Sequence, residues 1–219
     1  MKKIMFSDKF GLTEAVLSGR KTQTRRVVSE SLWEKWTEYD DFCGSVGVGG
    51  LSEIGVSVTR EYSDCEKFFL DNSPFKVGEV VAVAQSYKDA GVNYLPEEDD
   101  EFGCYNFPAE QTNGWTNKMF VRADLMPHQI RITDVRVERL QDISDEDCIA
   151  EGVELNLRQY EHDGLKLYFV RNLGHWRAFG CDNFKTPREA YAALIDRISG
   201  KGVWEENPYV FVYDFKIVD

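Results

Sequence analysis

The chain lacks a Cys-x-x-Cys pair, a His-Glu-x-x-His pattern and any apolar run approaching the length of a membrane span. Each absence excludes something. The cysteines (Cys43, Cys65, Cys104, Cys148 and Cys181) are odd in number and scattered. That argues against a disulfide framework and against a zinc ribbon, and reduced thiols in a reducing compartment are expected. The histidines, His128, His162 and His175, show no metal-ligand spacing, so no metal and no cofactor are expected. Met1-Lys2-Lys3 is followed by Ile4-Met5-Phe6 and then Ser7-Asp8-Lys9, too short an apolar run for a signal peptide. With no span either, a cytoplasmic protein without a membrane partner is expected. Positive charge is also scarce: 26 Lys and Arg stand against 38 Asp and Glu, a net charge of -12. Nucleic-acid binding driven by many phosphate contacts is disfavoured; a confined basic pocket, or a neutral small ligand, remains open.

Two local features invite a chemical reading and fail it. Gly44-Ser45-Val46-Gly47-Val48-Gly49-Gly50 is glycine-rich, but it has no Gly-Lys-Ser/Thr ending, and the Rossmann spacing would need a glycine at Ser52. A glycine-rich hairpin or flexible loop is the better reading. His175 and Cys181 invite a thiol–imidazole pair that their spacing does not demand.

Against the acidic background stands Gly19-Arg20-Lys21-Thr22-Gln23-Thr24-Arg25-Arg26, with four cations and two hydroxyls in eight residues. Such a reversal of charge suits a site for anionic or electron-rich groups. On charge alone, neutralisation of acidic neighbours at the surface is the simpler account. Lys21 and Thr24 share a face on a helical turn and would oppose each other on a strand. A lysine beside a threonine is a candidate base and nucleophile if burial lowers the lysine pKa.

In order along the chain, Lys3–Ser7 reads as a first strand. Phe10, Leu12, Ala15, Val16 and Leu17 read as an amphipathic helix capped by Gly19, with the Lys21–Thr24 motif in the turn beyond and a strand starting at Val27-Val28. Trp33 to Glu38 suggest a helical turn or two. Val80–Ala84 reads as a buried strand, and Met119–Ala123 as another short one. The five acids Glu97–Glu101 read as a solvated loop. The aromatics Tyr87, Tyr94, Tyr105, Phe107 and Trp115 either line a base-stacking pocket or anchor a long loop. Ile130 and Ile132 alternate out of phase with Val135 and Val137, which predicts a bulge near Thr133-Asp134. Ser144 is a predicted N-cap, with Glu151 in the last turn of its helix and Gly152 as the stop. Trp176, Phe179 and Phe184 read as core residues. Pro187 opens a helix through Ile198, and Tyr209–Val218 alternates as a final strand that closes the sheet. The sum is an α+β chain, a small mixed barrel in form, in one domain over residues 1–219.

Three stretches together resemble the ASCH family of the PUA-like superfamily, common in bacteria and phages. They are Phe6–Arg26 with its Gly-Arg-Lys-Thr-x-Thr-x-Arg core, Phe75-Lys76-Val77-Gly78-Glu79-Val80-Val81-Ala82-Val83, and Ile130–Val153 with Leu140-Gln141-Asp142-Ile143-Ser144. The resemblance implies a PUA-like β-barrel with flanking helices, a cleft beside them, and insertions at about 29–74, 88–118 and 154–186. Some ASCH proteins are amidohydrolases that deacetylate N4-acetylcytidine with a lysine, a threonine and a glutamate. Those residues fall on Lys21, Thr24 and Glu151. Thr24 would attack, Lys21 would take its proton and Glu151 would protonate the leaving nitrogen. Arg20, Thr22, Arg25 and Arg26 are the candidates for contacting substrate or phosphate. The small enzymes carry an apolar residue before their arginine, where this chain has Arg25. Two alternatives come with the resemblance: a non-catalytic module binding RNA, single-stranded or with a splayed base, and a ribonuclease.

Overall fold

The computed structural model describes residues 1–46, 61–96, 106–173 and 183–218. The expected glycine-rich loop from Gly47 onward, the acidic run Glu97–Glu101, Tyr105, His175, Trp176, Phe179 and Cys181 lie outside the described residues. In order, the elements are β1 (Lys3–Ile4), α1 (Leu12–Leu17), β2 (Gln23–Val27), α2 (Glu30–Val46), α3 (Cys65–Asp71), β3 (Val80–Val83), α4 (Tyr87–Ala90), β4 (Tyr94–Pro96) and β5 (Asn106–Pro108). There follow β6 (Gln129–Arg139), α5 (Asp145–Ala150), β7 (Glu154–Leu155), α6 (Leu157–Asp163), β8 (Tyr168–Phe169), α7 (Pro187–Ser199), α8 (Val203–Glu206) and β9 (Tyr209–Val218). The chain is α+β, as expected. Among the described residues, no helix is long and apolar enough to cross a membrane.

The main sheet has five strands in the order β1-β3-β6-β9-β2. Only β1 and β3 run parallel; every other neighbour is antiparallel. Among the described residues no ladder joins β1 to β2, so the sheet is open and not the closed barrel expected from the sequence. The reason is local. β1 is a strand of two residues, and the segment after it, Met5–Ser7, turns to line a cleft instead of continuing the ladder. A side chain spans the gap: the Arg26 guanidinium donates to the Met5 carbonyl.

The central strands behave as the sequence predicts. β6 and β9 keep register from Gln129↔Val218 to Ile132↔Phe215, then slip between Ile132 and Asp134. This bulge carries the sheet through its change of phase and bends the strand. β9 does not close the sheet; β2 takes the edge beyond it. The pairs Thr24↔Tyr213 and Arg26↔Phe211 put those four side chains on one face. Gln23, Arg25, Val212 and Asp214 share the other, with Arg136 and Glu138 of β6.

Other boundaries differ from the expectation. β2 starts at Gln23, so the basic motif enters a strand instead of sitting in a turn. The helical turns around Trp33 extend to a 17-residue helix that includes Gly44. Met119–Ala123 forms no strand but falls on two single 3-10 turns, Lys118–Phe120 and Ala123–Leu125. The stretch after Gly152 contributes the β7–β8 pair and α6.

One large core lies against the sheet, with Phe6, Leu12, Val16, Ile130, Ile132, Leu140, Tyr191 and Phe211 buried in it. The 29–74 stretch is tacked onto it by aromatic contacts. Trp33 meets the Phe69 ring edge-on at 4.9 Å, and Phe69 meets Tyr209 at 6.0 Å. A satellite core of Ala82, Ala84, Tyr87, Ala109, Val121 and Met126 holds the segment between β3 and β6. Tyr87 is an anchor there, and its hydroxyl accepts from the Arg122 N–H at 2.9 Å. Tyr94 and Trp115 flank a separate depression, away from the basic motif.

Candidate active site

Three short segments meet at one end of the sheet. α1 ends at Leu17, and Gly19, at φ 72°, reverses the chain beyond it. The Lys21 N–H then donates to the Ala15 carbonyl and the Thr22 N–H to the Ala150 carbonyl, both at 2.9 Å. These bonds lock the approach to β2 between the C-terminal ends of α1 and α5. α5 starts as its sequence predicts, with the Ser144 hydroxyl accepting from the Asp147 N–H at 3.1 Å. It ends at Glu151, whose backbone faces the same junction. The third segment is α7. A capping box of Thr186 and Glu189 and Pro187 at its first turn fix where it begins.

The result is a buried ion pair. Lys21 Nζ lies 2.5 Å from Glu151 Oε2 and donates to the Glu151 carbonyl at 2.7 Å. Their side chains are 1% and 5% exposed, so water screens this pair little. Burial pushes the Lys21 pKa down; the Glu151 carboxylate works in the opposite direction, and Arg26 and Arg25 add to the lowering. A lysine so placed loses its proton more readily than one in water.

Above the pair opens a cleft of about 90 Å³. Lys21, Thr24, Arg25, Arg26 and Glu151 line it, with Met5–Ser7 on one side and Tyr191, Leu194, Ile195 and Ile198 on the other. The structure therefore brings the expected lysine, threonine and glutamate to one place. Thr24 is 4% exposed, and its hydroxyl makes no hydrogen bond to a described residue. The residue lines the cleft.

The four remaining basic-motif candidates separate. Arg20 lies outside the cleft, paired with Glu154 at 2.8 Å and Glu14 at 3.8 Å. Thr22 is exposed and serves through its backbone, its carbonyl accepting from the Phe215 N–H at 2.9 Å. Arg25 is fully buried and committed. It holds Glu138 at 2.6 Å, Asp147 at 2.9 Å and Glu151 at 3.5 Å, and donates to Gln23 Oε1. Burial opposes its charge, but Glu151 and Glu138 outweigh burial and raise its pKa. Arg26 lines the cleft with its guanidinium over the Phe6 ring, 5.7 Å from the centroid. Among the described residues it has no ion-pair partner.

Neither family models, curated proteins nor solved structures match this chain. Its chemistry therefore has to be read from the site itself. Among the described residues no group of three His, Cys, Asp or Glu is placed to hold a metal ion. Cys148 is buried in α5, and burial pushes its pKa up to about 12, so it is no nucleophile at neutral pH.

Gly152 sets the approach of α5 to Lys21. It has φ +106°, and a Cβ there would lie 3.1 Å from Leu12 Cδ2 and 3.8 Å from Lys21 Cδ. Gly152→Ala is expected to destabilise the fold by about 1–3 kcal/mol through backbone strain, measured by urea unfolding. Retention of wild-type stability would show that this turn relaxes without cost.

Two site features escaped the sequence. Tyr191 sits in an aliphatic stripe of α7 and reads as core from its spacing. The role of Arg25 escaped as well, because a doubled arginine in a basic motif reads as more of the same charge.

Proposed function

We propose that the chain is an amidohydrolase acting on an acylated nucleobase of the N4-acetylcytidine type, in an ASCH-like, PUA-like fold. The observation that carries this reading is the buried Lys21–Glu151 pair lining one cleft with a threonine hydroxyl that has no partner among the described residues. The approach of Met5–Ser7 and β2 across the cleft supports the fold part of the reading, as a curled sheet left open at the site.

The chemistry follows from where the protons are. The proposed reaction uses the form of the pair in which Lys21 Nζ is an amine and the shared proton sits on Glu151. Thr24 Oγ forms a bond to the acyl carbon, and its proton passes to Lys21 Nζ. The tetrahedral intermediate then expels the exocyclic nitrogen, which takes the Glu151 proton. The pair ends that half-reaction as ammonium and carboxylate, with no net change in its charge. Water then attacks the acyl-threonine and gives a proton to Glu151 while Lys21 returns one to Thr24, which restores the neutral pair.

The cleft volume supports a substrate of which only the acylamino end enters. About 90 Å³ is well below the roughly 300–1,000 Å³ of sites that enclose a whole drug-sized ligand. Base and sugar would rest at the rim, near Met5 and Ile198. Plain phosphate binding is less well served, because Arg20 and Arg25 are already spent on carboxylates.

Incubation of the purified protein with N4-acetylcytidine, followed by chromatography, should yield cytidine and acetate. Absence of both at high enzyme concentration would refute this substrate.

A further inference from the structure

A second buried hydroxyl reaches the cleft from an element that the Lys-Thr-Glu reading does not use. Tyr191 projects from α7 within the stripe Tyr191, Leu194, Ile195 and Ile198. It is 2% exposed, and its ring packs edge-on to Trp204 at 6.3 Å, which fixes its direction. Among the described residues its hydroxyl has no hydrogen-bond partner, and the residue lines the cleft. A buried phenol without a partner, on a residue that lines the cleft, has a donor to offer a group bound there. Leaving a buried hydroxyl unpaired is costly, and an aliphatic residue in the same stripe would avoid the cost.

We propose that Tyr191 is a catalytic residue whose hydroxyl, together with the Arg26 guanidinium, donates to the oxygen that becomes negative when Thr24 attacks. The proposal rests on the acyl-transfer reading above. Arg26 is the lining cation that has no ion-pair partner among the described residues, so its charge is available to that oxygen. Tyr191 brings a neutral donor from the opposite wall. The two together form the pair of preorganised donors that a developing oxyanion requires. Burial, and then the charge of Glu151, raise the Tyr191 pKa well above its ordinary value, so the phenol keeps its proton and stays a donor.

Methylboronic acid provides a test that does not depend on the natural substrate. Thr24 Oγ would add to boron as its O–H proton passes to Lys21, to give a tetrahedral boronate anion and a lysine ammonium, with every bond already on boron kept. Boron NMR of wild type should show the tetrahedral signal, and Tyr191→Phe should weaken its formation about tenfold or more. With N4-acetylcytidine, the same variant should lose about 100-fold in kcat at little change in KM. Its unfolding midpoint should equal or exceed that of wild type, since the lost hydroxyl has no partner among the described residues and burying it unpaired is costly.

Equal boronate binding by Tyr191→Phe, or no tetrahedral signal from wild type, would overturn the proposal. A tetrahedral signal lost in Tyr191→Phe, from a protein that does not hydrolyse N4-acetylcytidine, would support Tyr191 while refuting that substrate.

Discussion

Exchanging Glu151 for glutamine is expected to lower kcat for amide hydrolysis by about 10²–10⁴-fold, the range of a positioned general acid. The amide oxygen can still accept from Lys21 Nζ, and the Glu151 carbonyl contact at 2.7 Å is untouched, so the fold should survive. The pH profile makes the prediction sharper. Burial lowers the Lys21 pKa, and the charge and hydrogen bond of Glu151 counteract it. Removing the carboxylate removes the counteraction, so the Lys21 pKa falls further. The limb of kcat/KM that rises as Lys21 loses its proton should therefore move to lower pH in the variant.

Stability should follow the same sign. The folded-state pKa of Lys21 lies below the unfolded value of about 10.4, so between the two the unfolded chain binds the extra proton. Wild-type stability should then rise with pH across that window, and Lys21→Met should lack the slope. Urea titrations over a pH series, beside steady-state rates, read both effects. A limb that moves to higher pH in Glu151→Gln would refute the pairing as the control on Lys21.

The largest loss of stability is expected at Arg25. Replacing it with methionine leaves Glu138, Asp147 and Glu151 facing one another around a space that no longer holds a cation. Breaking a buried ion pair on one side costs about 3–5 kcal/mol. Arg25→Lys should recover only part, because one ammonium cannot span the guanidinium's several acceptors. Asp147 gives this cluster a pH signature. Burial opposes its ionisation, but hydrogen bonds from Arg25 and Gln23 prevail and hold its carboxyl below the usual range. Its contribution is present above the unfolded carboxylate pKa and is lost as pH falls through the lower folded one. The gap in urea stability between wild type and Arg25→Met should thus narrow on acidification. A gap that is small at neutral pH and does not change would show that Arg25 is not what holds the three carboxylates.

The site was legible in the sequence to an uneven degree. Lys21, Thr24 and Glu151 were found through a resemblance and a motif count; their convergence depends on the segment before β2 being held between the ends of α1 and α5, which no local pattern encodes. The β6 bulge, the Ser144 cap and α7 were plain because each is written in neighbouring residues. β2 was misplaced by four residues because Gln23, Thr24 and Arg25 carry no apolar alternation; their strand comes from pairing with β9. For the same reason Arg20 and Arg25 looked alike. Their difference is tertiary: one meets surface acids, while the other is enclosed by carboxylates from β6 and α5. Tyr191 was hidden by spacing that is equally good for a core residue.

The strand order has a consequence for how the protein comes into being. β2 has a sheet partner only in β9, and the Gln23–Asp214 contact spans 191 residues. A ribosome emitting the chain releases β2 long before the strand it pairs with. Until β9 emerges, the edge that carries Thr24 has no ladder to join, and the wall that carries Tyr191 has only just left the tunnel. A nascent chain stalled before β9 would expose a basic, hydrogen-bond-hungry segment to whatever chaperone or partner reaches it first.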